Sequence, residues 1–104
     1  MTKKPIIAID FDGVICDQNK PIIGARDSLL ELVDRGFRVI VHTMRARTPN
    51  GLVRTCAWLD KYDIPYHQVT AIKPDAVLYV DDRALRFIAW PQVMEEVEKY
   101  AIQT

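Results

Sequence analysis

Carboxylates at two separate places in this sequence stand where they could do chemistry together. Asp10 and Asp12 are one residue apart and follow an apolar run, and Asp81 and Asp82 follow another. Ionised carboxylates this close repel one another, and burying them without a partner costs free energy. We therefore expect a cation among them. Because the group contains no His or Cys, a hard ion with oxygen ligands, such as Mg²⁺, is favoured over zinc.

Thr43 and Lys73 add a hydroxyl and a positive charge to this acidic group. The lysine can offset one carboxylate, and an acidic Mg²⁺ site with one Lys and one Thr suits a phosphate. A simpler interpretation of the first pair stays open at this point. Asp10 and Asp12 would then mark a strand end followed by a turn in which Asp12 binds its own backbone.

The elements that must position these residues alternate between strands and helices. Apolar, largely β-branched runs predict buried strands at 6–9, 37–42, 66–70 and 77–80, the third of them at the sheet edge. Amphipathic patterns predict helices over 25–35, 49–62 and 91–102. This alternation predicts a parallel sheet, and ligands bind at the carboxyl ends of such strands. All the polar candidates follow strands, so we expect them to gather at one edge.

The second and third predicted helices carry predictions about packing. Thr48 is the expected N-cap of the second helix, with Pro49 in its first position. This helix is expected to bury Leu52, Val53, Cys56 and Leu59. The last helix presents Val93, Val97, Tyr100 and Ala101 on one side. Trp90 is expected to pack that helix onto the sheet, and Glu95 is expected to pair with Lys99 one turn away.

Length and composition bound the class of protein. The 104 residues suffice for one domain, spanning 1–104, and are too few for two. Fourteen basic residues balance fourteen acidic ones, so no global charge favours nucleic acid or a membrane surface. No apolar run approaches the ~20 residues of a membrane span, and we expect a cytoplasmic protein. Cys16 and Cys56 lack metal-ligand spacing; reduced thiols are favoured, and a disulfide stays open.

Four motifs resemble, in order, the signature motifs of the haloacid dehalogenase superfamily. They are DFDGV after the first strand, Thr43 after the second, Lys73 in a later loop and the DD pair after the fourth. The match runs from 6 to 82. The resemblance implies a three-layer, Rossmann-like parallel sheet of about four to five strands. It also implies a Mg²⁺-dependent phosphatase that hydrolyses a phosphate monoester through an aspartyl-phosphate.

The same resemblance implies a role for each motif residue. Asp10 would be the nucleophile, and Asp12 would protonate the leaving oxygen and then deprotonate the attacking water. Thr43 would bind a phosphoryl oxygen, and Lys73 would hold the phosphate and steady the nucleophile. The implied Mg²⁺ ligands are Asp10, the backbone carbonyl of Asp12, Asp81 and, through water, Asp82. Which of the last two binds the ion directly stays open.

The sequence departs from the larger members of that superfamily, which carry an inserted cap domain. Residues 14–24 and 70–72 are too few for one, so the chain resembles capless members, some of which act on polynucleotide ends. Arg45 matches their S/T-x-R pattern, and a substrate contact and a solvated loop arginine are equally favoured for it. The expected partner is a phosphorylated small molecule or nucleic-acid end. Without a cap, a bulky substrate or a second subunit is expected to cover the site.

Three alternatives to a general phosphatase remain. One is a phosphatase specific for the 3′-phosphate of polynucleotide ends. Another is a catalytically silent phosphate-binding module on the same fold. The third is a signalling receiver domain, which motif order argues against. Receiver domains have an acidic pair after the first strand, a lone Asp after the third, and Thr and Lys after the last two strands. In this sequence Thr43 and Lys73 lie between the two acidic pairs.

Overall fold

The computed structural model of the chain describes residues 3–100, which form an α/β fold. Its parallel strands are β1 (Ile6–Asp10), β4 (Arg38–His42), β5 (Gln68–Thr70) and β6 (Leu78–Val80). Its helices are α1 (Ala25–Asp34), α2 (Pro49–Lys61) and α3 (Trp90–Glu98). A short antiparallel hairpin follows β1 and consists of β2 (Cys16–Asp17) and β3 (Lys20–Pro21). The predicted parallel α/β sheet is confirmed.

The sheet has the order β5-β4-β1-β6, with β5 at one edge as predicted. The strand that carries the first motif lies inside it, and the middle residues of β1 are buried. The register aligns Asp10 with His42 of β4 and Ile9 with Val80 of β6. The carboxyl ends of these three strands therefore lie side by side. This alignment brings the residues that follow these strands together at the carboxyl edge of the sheet, where the strands end.

Both packed helices lie on the same face of the sheet. Successive strand residues point to opposite faces, and Ile7 and Ile9 point to the side of α1 and α2. The connections β1–α1–β4 and β4–α2–β5 step across the sheet in the same direction, and right-handed crossovers then place both helices on one face. The buried core on this face consists of Ile7, Ile9, Phe11, Ile15, Cys16, Ala25, Leu29, Val39, Val41, Leu59, Ile64 and Val69.

The opposite face of the sheet carries no helical layer within residues 3–100. The residues of β6 are exposed, and α3 contains no buried residue. Trp90 is 68% exposed and contacts Phe87 edge-to-face, with ring centroids 5.6 Å apart. The prediction that Trp90 packs the last helix onto the sheet is therefore wrong. An amphipathic pattern shows that a helix has an apolar side, but it does not say which surface that side meets.

The helix predictions were accurate where the signal is local. Thr48 caps α2, and its Oγ1 accepts from the Gly51 N–H at 3.0 Å. Leu59 is fully buried as predicted, but Val53 is 66% exposed and was predicted wrongly. Thr55 is buried instead, because its hydroxyl donates to the Gly51 carbonyl at 2.8 Å and so needs no water.

The end of the chain departs further from the predictions. Lys99 pairs with Glu96 at 2.8 Å rather than with Glu95. Val97 is 51% and Tyr100 77% exposed, and Ala101 lies outside the described residues. No helix within residues 3–100 is long and apolar enough to cross a membrane.

The stretch after β1, predicted to be irregular, contains the β2–β3 hairpin. Its two turn residues, Gln18 and Asn19, have φ angles of 48° and 64°, as a tight two-residue hairpin turn requires. Neither this stretch nor the connection 71–77 holds an inserted domain. Cys16 and Cys56 are free thiols, which resolves the open question of a disulfide.

Candidate active site

Three carboxylates meet at the carboxyl edge of the sheet. Asp10 ends β1, while Asp81 and Asp82 directly follow the adjacent strand β6. One carboxylate oxygen from each lies within 4.8 Å of the others. Asp10 is half-buried and the other two are exposed. Oxygen ligands at this spacing are those that a hard divalent cation takes, and a cation would offset their mutual repulsion.

The electrostatics of this cluster act most strongly on Asp10. Its pKa is raised above the ordinary value, chiefly because burial disfavours the charged carboxylate. The Phe11 N–H donates to Oδ1 at 2.8 Å and partly opposes this shift. Repulsion from Asp81, Asp82 and Asp12 raises the pKa further. A cation here would favour the ionised form that a nucleophile needs.

The Asp12 carboxylate stands apart from these three and is paired with Arg45. The guanidinium donates from Nε to Oδ2 and from Nη2 to Oδ1, each at 2.8 Å. This bidentate geometry is the strongest that a guanidinium and a carboxylate can adopt. The hydrogen bonds that Arg45 donates to Asp12 raise the pKa of Arg45. In this structure the partner of Arg45 is Asp12, and the contact of Arg45 with substrate stays a prediction.

Thr43 follows β4 and is 4% exposed. Its N–H donates to the Thr70 carbonyl at 2.9 Å, which anchors it beside β5. Its Oγ1 accepts from the Arg45 N–H at 3.3 Å and so begins a 3₁₀ turn, Met44–Arg47. The structure thus gives this hydroxyl a part in positioning the Arg45 backbone, and its contact with a phosphoryl oxygen stays a prediction.

Lys73 lies in the connection between β5 and β6 and has no carboxylate partner within residues 3–100. Its Nζ lies 4.7 Å from the centroid of the Tyr79 ring, a cation–π contact. Together with Asp10 and Asp81 it lines a groove of about 690 Å³ on the open face of the sheet. The structure brings Lys73 to the same groove as the expected nucleophile but does not join the two.

Two glycines that the sequence analysis assigned no role allow close approaches at this edge. Gly13 has a φ of +83°, and a Cβ there would overlap the Asp82 carboxylate. Gly51, in the first turn of α2, would overlap the Arg45 carbonyl oxygen if it carried a Cβ. The signal for Gly13 was its place in the DFDGV motif. No sequence signal marks Gly51, since its neighbour in space is set by tertiary packing.

Two depressions near Asp12 differ in charge. One of about 480 Å³ is lined by five carboxylates and one guanidinium, those of Asp10, Asp12, Asp17, Asp81, Asp82 and Arg83. The other, of about 340 Å³, is lined by the guanidiniums of Arg54 and of Arg45, the partner of Asp12, and by no carboxylate. The arrangement can hold a cation in the first and an anion in the second.

No family model, curated protein or solved structure matches this chain.

Proposed function

We propose that the protein is a Mg²⁺-dependent phosphatase of the haloacid dehalogenase type, which hydrolyses a phosphate monoester through an aspartyl-phosphate on Asp10. The observation that carries this proposal is the cluster in which Asp10, Asp81 and Asp82 approach within 4.8 Å. That cluster joins the first and last of the sequence motifs. An Asx turn at the end of β1 would not require the second acidic pair to lie there.

The donor set fits Mg²⁺, because it consists of carboxylate oxygens that repel one another without a cation. Asp10, Asp81 and Asp82 would hold the ion, with the backbone carbonyl of Asp12 as a further ligand. When bound, the ion would offset the charge of the phosphoryl oxygens.

In the proposed reaction, an Asp10 oxygen attacks phosphorus, and the bond from phosphorus to the leaving oxygen breaks. Asp12 donates a proton to that oxygen, which departs as an alcohol. Asp12 then takes a proton from water, whose oxygen attacks the phosphorus and releases inorganic phosphate and free Asp10. Thr43 and Lys73 are proposed to bind the phosphoryl oxygens during both steps.

The test is phosphate release by Asp10→Asn, with and without Mg²⁺. The substrates are phosphorylated metabolites and oligonucleotides phosphorylated at either end. We expect turnover to fall by roughly 10³-fold or more, because the amide cannot form the intermediate. Asp34→Asn is the control, since Asp34 ends α1 at the opposite edge of the sheet.

Turnover of Asp10→Asn at the rate of the parent, or full activity in excess chelator, would refute the proposal. The panel also separates the alternatives. Exclusive turnover of 3′-phosphorylated oligonucleotides indicates the polynucleotide-end enzyme, and phosphate binding without turnover indicates the silent module.

We further propose that a second copy of the chain covers the open face of the sheet. Between 72 and 100, twelve large apolar residues are 37% to 80% exposed, and four of them are aromatic. Since one buried aromatic accounts for about 150–250 Å², their exposed area is on the order of 1,000 Å². A stable interface needs about 800 Å² per partner. Sedimentation equilibrium is expected to show a dimer, and a monomer at high concentration would contradict this.

A further inference from the structure

The cationic pocket lined by Arg45 and Arg54 lies between the β2–β3 hairpin and the start of α2. Phe11 and Trp58 form its apolar wall, with ring centroids 5.0 Å apart and nearly perpendicular planes. Trp58 Nε1 donates to the Asn19 carbonyl at 3.2 Å, which ties the hairpin turn to the helix. Gly51 also lines the pocket from the first turn of α2, where the helix dipole is positive. The walls are thus held together, and their potential favours an anion.

The position of this pocket relative to Asp12 indicates what it would bind. In the proposed reaction Asp12 contacts the leaving oxygen, so the rest of the leaving group starts at Asp12. The depression that Asp12 lines contains Asp10 and the other acidic residues, which would repel any anionic part of the leaving group. The pocket that begins at its partner Arg45 contains Arg54 as well, and these guanidiniums would attract it. An anionic leaving group is therefore directed into the cationic pocket.

The pairing of Arg45 with Asp12 leaves part of the guanidinium available. Nε and Nη2 each donate one hydrogen bond to the Asp12 carboxylate. A guanidinium has five N–H donors, so the others of Arg45 remain for a second acceptor. Arg54, whose side chain has no hydrogen bond or ion pair to any residue in 3–100, lines the same pocket. An anion there would offer the free donors of both arginines an acceptor.

We propose that this pocket binds a second anionic group, a carboxylate or phosphate, carried by the leaving group of the substrate. Arg54 and Arg45 hold that group. The catalytic part of this inference rests on the proposed phosphatase activity. The substrate class is thus an organic phosphate with an additional negative charge, and an uncharged leaving group gains neither contact.

The kinetic test compares two esters that differ in one group, phosphoglycerate and glycerol phosphate, each phosphorylated at the middle carbon. We expect kcat/KM to be roughly fivefold higher for the carboxylate-bearing ester, as for a favourable exposed ion pair. The preference is expected to shrink with added salt, which screens exposed charges. Equal kcat/KM values for the two esters would overturn the inference.

Arg54→Ala is expected to remove most of this preference. Arg47→Ala is the matched control, because it removes an exposed guanidinium from the neighbouring 3₁₀ turn without touching the pocket. Arg47→Ala is expected to keep the preference. An equal loss in both variants would mean that diffuse positive charge, rather than the pocket, selects the anion, and would overturn the assignment.

A binding measurement separates this inference from the proposed activity. The chain has two tryptophans, so Trp90→Phe leaves Trp58 in the pocket as the sole tryptophan, which can be excited apart from the tyrosines. Titration with phosphoglycerate is expected to change its fluorescence saturably, and Arg54→Ala added to Trp90→Phe is expected to weaken that response several-fold. A response without hydrolysis would refute the phosphatase and retain the anion pocket. No response from Trp58 would overturn the pocket whether or not phosphate is released.

Discussion

Residues 3–70 and residues 71–100 are built in different ways. Every buried residue of the described chain lies in the first part, and none lies in the second. The candidate site nevertheless draws on both. Asp10, Asp12 and Thr43 come from the packed part, whereas Lys73 and the Asp81–Asp82 pair come from the exposed part. Packing therefore holds Asp10, the expected nucleophile, whereas little besides the pairing of β6 with β1 holds the other two carboxylates of the cluster, Asp81 and Asp82.

This difference gives a bound cation a structural role. Because the cluster joins β1 to the segment after β6, an ion on Asp10, Asp81 and Asp82 would link the packed part to the exposed part. A ligand that binds only the folded arrangement stabilises it by mass action.

Truncating one side chain in each part tests the comparison directly. Leu59 is fully buried, so Leu59→Ala should lower the free energy of unfolding by about 2–5 kcal/mol through lost burial and a cavity. Met94, on α3, is 57% exposed, and Met94→Ala should change the free energy of unfolding of the monomer by less than about 0.5 kcal/mol, at protein concentrations too low for the proposed dimer. Urea denaturation measures both. A loss for Met94→Ala similar to that for Leu59→Ala would show that α3 packs against the core.

Gly13→Ala acts where the two parts touch. The positive φ of Gly13 strains an alanine by about 1 kcal/mol or more, and its Cβ would push the Asp82 carboxylate away. We expect lower stability together with weaker Mg²⁺ binding, measured by urea denaturation and calorimetric titration.

Gly36→Ala is the control for that substitution. Gly36 has a φ of +94° but nothing within reach of a Cβ, so it reports backbone strain alone. Equal Mg²⁺ affinities in the two variants would refute the role assigned to the contact between Gly13 and Asp82.

The raised pKa of Asp10 predicts a pH dependence of stability without metal. A carboxyl whose pKa is higher in the folded than in the unfolded state binds more protons when folded, so its contribution falls as pH rises. The loss begins near the unfolded value, about 4, and is complete above the raised folded value. In chelator, the wild type should therefore lose more stability than Asp10→Asn from about pH 4 to neutrality. Parallel urea midpoints across that range would contradict the assigned burial and repulsion.

The parts of the fold that the sequence predicted depend on local signals. Thr48 and Pro49 mark the start of α2 through their own hydrogen bond and φ angle, which no distant contact alters. The apolar run of β1 has apolar side chains on both faces of the strand, so it predicts a strand buried on both faces whatever its neighbours are. The prediction that Val53 is buried failed because periodicity defines only a broad face of the helix. Thr55 is buried instead, because its hydroxyl donates a hydrogen bond to a carbonyl of its own helix.

The candidate site divides in the same way. Motif order and the parallel topology sufficed to predict that Asp10 lies next to Asp81 and Asp82, because the register of the strands sets this proximity. The pairing of Asp12 with Arg45 depends on two side-chain rotamers and the 3₁₀ turn between elements. No pattern in the sequence encodes those rotamers, so that contact could not be predicted.

The strand order also has a consequence for how the chain is made. β1 is synthesised before both of its neighbours in the sheet, and of these β4 precedes β6. Until β6 is made, one side of β1 keeps unpaired backbone groups, the feature that invites aggregation of nascent chains. A chain that ends before Asp81 contains the DFDGV motif yet cannot assemble the three-carboxylate cluster. Synthesis of β6 and of the Asp81–Asp82 pair thus completes the pairing of β1 and the acidic cluster together.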